Sequence, residues 1–475
     1  MKKLPISSDE YQCTWVVDGA SVAGTLELVG GKRPRGEVFD IPGEWWVPDE
    51  GSEESGYRTF TPHTRKFPEL RGRLRTNHEV VLIDAQISYL FPGEAHVWAE
   101  MALCGLELSD KPQSFDSVEF QVGGITELSG HRPLKEMRLP STYATDMEFG
   151  VKWNTEADQT WCADTDEEIS LQFAPYTKID RGYSYSISPY PVITVKGASR
   201  TAEHWLEEYI RPLAQITQFA TTQPQPISWV LLGTKGEPHK TVQVFAREIS
   251  QEPYAASSPY AGGLTTLLRV GPNHASLAKL LKDWRSIQTD QDVFFEYLTI
   301  SLTDDRSLQS RFLAVIPALE SYHSVKYGLG PIDSKAFNKH RRGVIKRIKE
   351  AEGVTVDDAE WLEKWVSTLG TYELQERLRR LFSDLPEELQ QRITDKIEPF
   401  PEALTGIIQN CQDVWRIMGK VRNNLAHGGK RPTVNQLISL TRLARTMAVG
   451  LALQDLNLPE KALINSIDHG DWPIL

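Results

Sequence analysis

Apolar and polar residues alternate with a period of two through much of the first half of the chain. Successive strand residues face opposite sides of a sheet, so this period predicts half-buried strands. It runs through residues 11–17, 22–28, 80–87, 97–103, 118–122, 169–173 and 183–187, with a late strand expected at 242–249. Gly, Pro, Asn and Asp punctuate the runs, which fits an antiparallel, sandwich-like domain or a barrel. One helix is expected near 200–221, with Ser199 as its cap and Trp205, Tyr209, Leu213 and Ile216 on one face. Residues 41–76 are rich in Pro and Gly and read as a long, irregular connection.

The period changes in the second half. Leu308, Phe312, Val315, Leu319 and Tyr322 recur at spacings of three and four, as on one face of a helix. Pro317 falls inside this stripe and is expected to kink a continuous helix. Residues 334–350 predict a second helix and 357–382 one or two more. Leu404, Ile407, Ile408, Cys411, Val414, Trp415 and Met418 predict a long helix, and the series from Val434 to Leu451 predicts another. Apolar-faced helices with short connections imply a bundle. Periodicity breaks at 252–263, which sets the expected border. The fold class is therefore α+β: a β-rich domain over 1–265, then an all-α bundle over 266–475.

Charge divides along the same line. The net charge is −12. Residues 1–275 hold 25 Lys and Arg against 37 Asp and Glu, and residues 276–475 hold 27 of each. The excess acid sits in front, so contact with nucleic acid is expected of the back half. Cys13, Cys104, Cys162 and Cys411 form no close pair, which argues against a zinc site or a disulfide framework. No signal-like segment and no run of about 18 apolar residues is present. A soluble, reducing, cytoplasmic protein is expected, with no metal and no cofactor. No P-loop, G-x-S-x-G or dinucleotide fingerprint occurs.

The chemistry concentrates in Arg422-Asn423-Asn424-Leu425-Ala426-His427, followed by Gly428-Gly429. Arginine grips phosphate with a planar, always-charged fork, and histidine moves protons near neutral pH. Together they suit RNA cleavage without a metal. There the 2′-hydroxyl attacks phosphorus, a base takes its proton, an acid protonates the leaving 5′-oxygen, and a cation stabilises the extra charge. On an ideal helix, positions five apart differ by about 140°, so the pair needs a terminal turn loosened at the glycines to meet on one face. Asn423 suits orientation of the imidazole or the phosphate, with Asn424 as a competitor. The other reading is a helix end whose Arg, Asn and His cap orphan carbonyls.

This stretch resembles the R-x4-6-H signature of the HEPN ribonucleases, in the form with a polar residue after the arginine. The resemblance covers about 276 to the end. It implies a homodimer in which two copies of the motif build one site, since each copy offers a single histidine. It also matches Glu320 to the acidic residue often found on an early bundle helix, where a carboxylate would hold the Arg422 fork. Glu320 otherwise reads as a solvated edge residue, and His323, three positions on, as surface or structural.

Lys339, Arg341, Arg342, Lys346 and Arg347 belong to the densest basic run. They suit an RNA backbone, or else a solvated face paired with the acidic 350–363 region. Phe337, Val344, Ile345 and Ile348 are expected to bury the opposite face. Arg442 and Arg445 are expected to extend the basic surface. Arg71-Gly72-Arg73-Leu74-Arg75 and Trp45-Trp46 stand out in the front half, the tryptophans as a recognition surface or as the closure of a sandwich end.

The whole layout resembles the ApeA family of bacterial anti-phage defence proteins. That implies an abortive-infection ribonuclease acting on RNA, tRNA among the options, whose acidic front half senses a phage-derived trigger. The competing reading is a non-catalytic dimerisation module joined to a protein- or glycan-binding domain.

Overall fold

The computed structural model describes the chain except for residues 1–3, 40–62, 92–93, 106–112, 131–132, 139–149, 154–158, 163–166, 181–183, 235–240, 253–265, 271–275, 303–305, 329–333, 352–353, 359, 362–371, 398–412 and 459–475. Two compact units result, Met1–Leu281 and Lys282–Leu475.

The first unit is built on strands β1 (Asp9–Val17), β2 (Ala20–Leu28), β3 (Arg35–Phe39), β4 (His63–Leu74), β5 (Glu79–Phe91), β6 (Glu94–Trp98), β7 (Met101–Gly105) and β8 (Phe115–Val122). A short helix, α1 (Ile125–Ser129), is followed by β9 (Leu134–Arg138), β10 (Gly150–Trp153), β11 (Gln159–Cys162), β12 (Glu168–Asp180) and β13 (Ser184–Arg200). A helical run, α2, joins Ala202–Trp205, a π-turn over Leu206–Ile210 and Arg211–Thr221, before β14 (Ile227–Gly233) and β15 (Thr241–Ala246). β9 and β10 pair with each other, and the remaining strands form one antiparallel sheet of 13.

That sheet closes on itself at one end. β5, β4, β1, β2, β3 and β6 pair in order, and β6 pairs back to β5. β5 makes this possible by serving two neighbours on one edge. Its first half, Glu79–Ile83, pairs with β7, and its second half, from Gln86, pairs with β6. Asp84 stands at the fork with φ +51°, a left-handed conformation that bends the strand. The core-facing positions change parity there, from Val80 and Leu82 to Ala85, Ile87 and Tyr89. Trp15, Leu26, Leu28 and Val38 fill the barrel with them. Each such side chain contributes about 1.5–3 kcal/mol by leaving water.

Several expectations need correction here. The run 97–103 is two strands, because the chain turns at Ala99 and Glu100, whose N–H groups donate to Pro34 O and Ile83 O. Residues 63–74 of the expected irregular connection are the regular strand β4. Ser199 lies in β13 rather than capping a helix. The cap is Thr201, whose hydroxyl accepts from the His204 N–H. Trp205, Tyr209, Leu213 and Ile216 are buried together as expected, and Trp205 Nε1 donates to Phe115 O at 3.1 Å.

The second unit is helical. α3 (Leu277–Leu302) carries the boundary between the units and is interrupted at Gln291 by non-helical φ and ψ. It is followed by α4 (Leu308–Tyr327), α5 (Ser334–Lys349), α6 (Leu374–Ser383), α7 (Glu387–Ile397), α8 (Val414–His427) and α9 (Val434–Asp455). From Leu443 to Leu453, α9 is buried all round, the signature of a central helix. It packs against α4, α6 and α7, while α8 packs against α4 and α6. α4 runs unbroken through Pro317. Of the helix expected from Leu404, the described part starts at Val414. Asp413 is extended, and its carboxylate caps the Trp415 N–H. Leu404, Ile407, Ile408 and Cys411 lie outside the described residues.

Candidate RNA-cleavage site

α8 places the Arg-to-His motif on the bundle. Trp415, Ile417, Met418 and Val421 bury one face of this helix, which fixes the side on which the polar residues emerge. The helix stays regular through His427 and stops at Gly428, which takes φ +77°. Gly429 then donates its N–H to Asn424 O at 2.7 Å. A side chain at 429 would collide with Asn424, whose Oδ1 lies 2.7 Å from where a Cβ would stand. Asn424 Nδ2 in turn donates to Lys430 O at 2.9 Å. Asn424 therefore ties down the turn that ends the helix.

The expected loosening before His427 does not occur, because the left-handed stop comes one residue after it. Arg422 and His427 thus stay about 140° apart around the axis and about 7.5 Å apart along it. They do not share a helix face.

Arg422 is held from two sides. Its Nη2 lies 3.6 Å from Glu320 Oε2 on α4, and its Nη1 donates to Asn423 Oδ1 at 3.2 Å. The Arg422 side chain keeps 34% of its exposure and Glu320 keeps 27%, so the fork is oriented yet reachable. Asn423 and His427 are exposed. His427 has no hydrogen-bond or ion-pair partner among the described residues, which leaves both ring nitrogens available.

A polar layer lies behind Glu320. Ser324 Oγ donates to Glu320 O at 2.8 Å and accepts from Arg377 Nη1 of α6 at 3.2 Å. His323 is fully buried between the rings of Tyr327 and Tyr372, at 5.1 and 5.0 Å. Neither of its nitrogens has a hydrogen-bond partner among the described residues. Burial, reinforced by Arg377 and Arg380, pushes its pKa down to about 4. The Arg380 guanidinium stacks 3.6 Å over the Tyr327 ring. Tyr327 donates to Asp384, whose carboxylate also lies 3.3 Å from Lys326 Nζ. Burial and Asp384 push the Tyr327 hydroxyl up to about 12. Of these groups only Glu320 and His323 stood out in the sequence. The Arg377–Arg380 spacing of three was a legible signal for the rest.

The other candidates fall elsewhere. Lys339, Arg342, Lys346 and Arg347 are exposed on α5, and Arg341 is half-buried. Val344, Ile345 and Ile348 are also only half-buried, so the opposite face is less enclosed than expected. Among the described residues no hydrogen bond or ion pair joins this helix to the motif. Arg442 is exposed, but Arg445 is buried and donates to Leu302 O at 3.1 Å. Arg445 thus caps the end of α3 and does not extend a basic surface. Trp45 and Trp46 lie outside the described residues. Among the described residues no helix is long and apolar enough to cross a membrane.

A bundle with an Arg-to-His motif ending one of its helices defines a HEPN-type domain. Residues 313–462 match the family model for the Apea-like HEPN domain. Residues 10–263 match the ApeA N-terminal domain 1. The chain belongs to the ApeA family, a defence-related family of HEPN nucleases. HEPN domains are generally ribonucleases that act as dimers on RNA. No curated protein and no solved structure matches the chain.

Proposed function

We propose that the protein is an anti-phage ribonuclease that cleaves RNA by attack of the 2′-hydroxyl on the adjacent phosphate, without a metal. The observation that carries this reading is an oriented Arg422 fork on the same helix end as an exposed His427 that has no partner among the described residues. Arg422 holds the phosphate and stabilises the added negative charge as the 2′-oxygen bonds to phosphorus. His427 takes the 2′-hydroxyl proton. The bond from phosphorus to the 5′-oxygen then breaks, and that oxygen takes a proton from a second acid. Within one chain Arg422 and His427 point apart and only one histidine is offered. A homodimer that brings two copies of the motif together supplies both base and acid. Glu320 and Asn423 are positioning residues for the Arg422 fork.

Lys339, Arg341, Arg342, Lys346 and Arg347 extend the contact along the RNA backbone, tRNA being a suitable substrate. Asn424 contributes by holding the turn. The β-rich unit restrains the nuclease until a phage-derived trigger is sensed. The domain border we assign, near 265, leaves α3 with the bundle.

RNA integrity after induction, with and without phage, tests the reading. Discrete fragments are expected with the wild type and none with the Arg422→Ala, His427→Ala double variant. Intact RNA in every condition, with defence unchanged in the double variant, would move the function to a non-catalytic dimerisation module.

A further inference from the structure

The outer face of the barrel carries an arginine-walled cavity that the nuclease reading does not use. Arg71 and Arg73 stand at alternate positions at the end of β4, so their side chains leave the sheet on one side, about 7 Å apart, and Arg75, in the turn just past the strand, joins them through its bond to Gln12. The neighbouring strands present small residues in register with them. Arg73 pairs with Thr14, and Thr14 pairs with Ala23. Arg71 pairs with Val16, and Val16 pairs with Ser21. Long arginines beside short side chains leave a hollow. Its volume is about 970 Å³, and all of these residues line it.

The charge of the hollow runs against the net charge of the front half of the chain. Its lining holds these three arginines and one carboxylate, Glu79. The chain up to residue 275 carries 37 acidic against 25 basic residues. Each arginine has a carboxylate or amide partner. Arg71 Nη2 lies 3.0 Å from Glu69 Oε2, Arg73 pairs with Glu79, and Arg75 Nη1 donates to Gln12 Oε1 at 3.1 Å. Pairs that water still reaches, as these half-buried and exposed ones are, contribute little, so a stronger acceptor displaces them. Phosphate is such an acceptor, because its oxygens match the guanidinium fork in pairs. The net acidity of the front half disfavours a long polyanion, whereas a small ligand feels mainly the local cations. A hollow of this volume lies at the upper end of the range for small-molecule sites, roughly 300–1,000 Å³.

We infer that this hollow binds a small phosphate-bearing ligand of nucleotide size through Arg71, Arg73 and Arg75. The inference stands apart from RNA cleavage and would survive the loss of that reading.

Calorimetric titration of the full-length protein with ATP, inorganic tripolyphosphate and adenosine tests it, at low and at raised salt. Saturable binding of ATP is expected, weakening with salt, and none of adenosine. Binding of tripolyphosphate as well would assign recognition to the phosphates alone. Its absence would assign part of it to the nucleoside. The Arg71→Gln, Arg73→Gln, Arg75→Gln variant should bind at least about tenfold more weakly. Ala23→Trp, which obstructs the hollow beside Arg73 and leaves every charge in place, should also weaken binding. Thermal unfolding of both variants confirms that the barrel is intact. No binding of ATP or tripolyphosphate to the wild type would overturn the inference. So would equal binding by both variants, or tighter capture of a twenty-nucleotide RNA than of ATP by the same arginines.

Discussion

Glu320→Gln removes the charge that faces Arg422 and leaves the shape almost unchanged. The separation of 3.6 Å sets the magnitude. Two unit charges at that distance attract by about 1 kcal/mol in water and by about 5 kcal/mol at an effective dielectric of ~20. Both side chains keep about a third of their exposure, so water screens the pair and the lower end applies. A loss of about 1–1.5 kcal/mol in holding the fork corresponds to roughly five- to tenfold in cleavage rate. Arg422→Ala removes the phosphate contact itself and should cost about a hundredfold or more. The assay is single-turnover cleavage of a labelled RNA by both single variants and the double variant. In the double variant the Glu320→Gln penalty should vanish, because no fork remains to be positioned. Unfolding in urea should show at most about 1 kcal/mol of lost stability for Glu320→Gln. Two results would refute the reasoning. One is cleavage unchanged by Glu320→Gln. The other is an equal penalty with and without Arg422, which would give Glu320 a role independent of the guanidinium.

His323 makes the bundle acid-sensitive. Its folded pKa is depressed to about 4 from the ordinary 6.5, so the unfolded chain binds the extra proton first as pH falls. The associated stability is fully present above about 6.5 and is lost progressively down to about 4, up to about 3 kcal/mol. His323→Phe should flatten urea-derived stability across that window, and an unchanged slope would assign the acid sensitivity to other groups. Gly428 at φ +77° ends α8, so Gly428→Ala should cost about 1–2 kcal/mol in thermal unfolding, and Gly428→Asn less. Equal midpoints for all three proteins would mean that the left-handed stop is not what ends the helix.

The legible parts of the fold are those where one face is wet. β1 and β2 alternate buried and exposed positions, and α4 repeats at three and four, so their periods survive in the sequence. β14 is buried on both faces and shows no alternation. β4 is strongly charged and contains Pro68, so it reads as loop until its pairing with β1 and β5 is known. The barrel closure rests on one left-handed residue, Asp84, and nothing local announces it. At the candidate site the motif and Glu320 were legible by residue type. The facing of Arg422 by Glu320 was expected as well, and the contact between α4 and α8 places the two 3.6 Å apart. The layer of His323, Tyr327, Arg377, Arg380 and Asp384 was legible only at His323 and in the Arg377–Arg380 spacing, because its members are more than 60 residues apart at the extremes and meet only through packing.

The most direct test of the central claim is end-group analysis of RNA incubated with the purified protein in excess EDTA. Wild type should leave 2′,3′-cyclic phosphate and 5′-hydroxyl ends. His427→Ala should leave the RNA whole, with its thermal midpoint unchanged, since His427 is exposed and bonds to nothing among the described residues. Cleavage that stops in EDTA, cleavage that leaves 5′-phosphate ends, or full activity in His427→Ala would contradict the account.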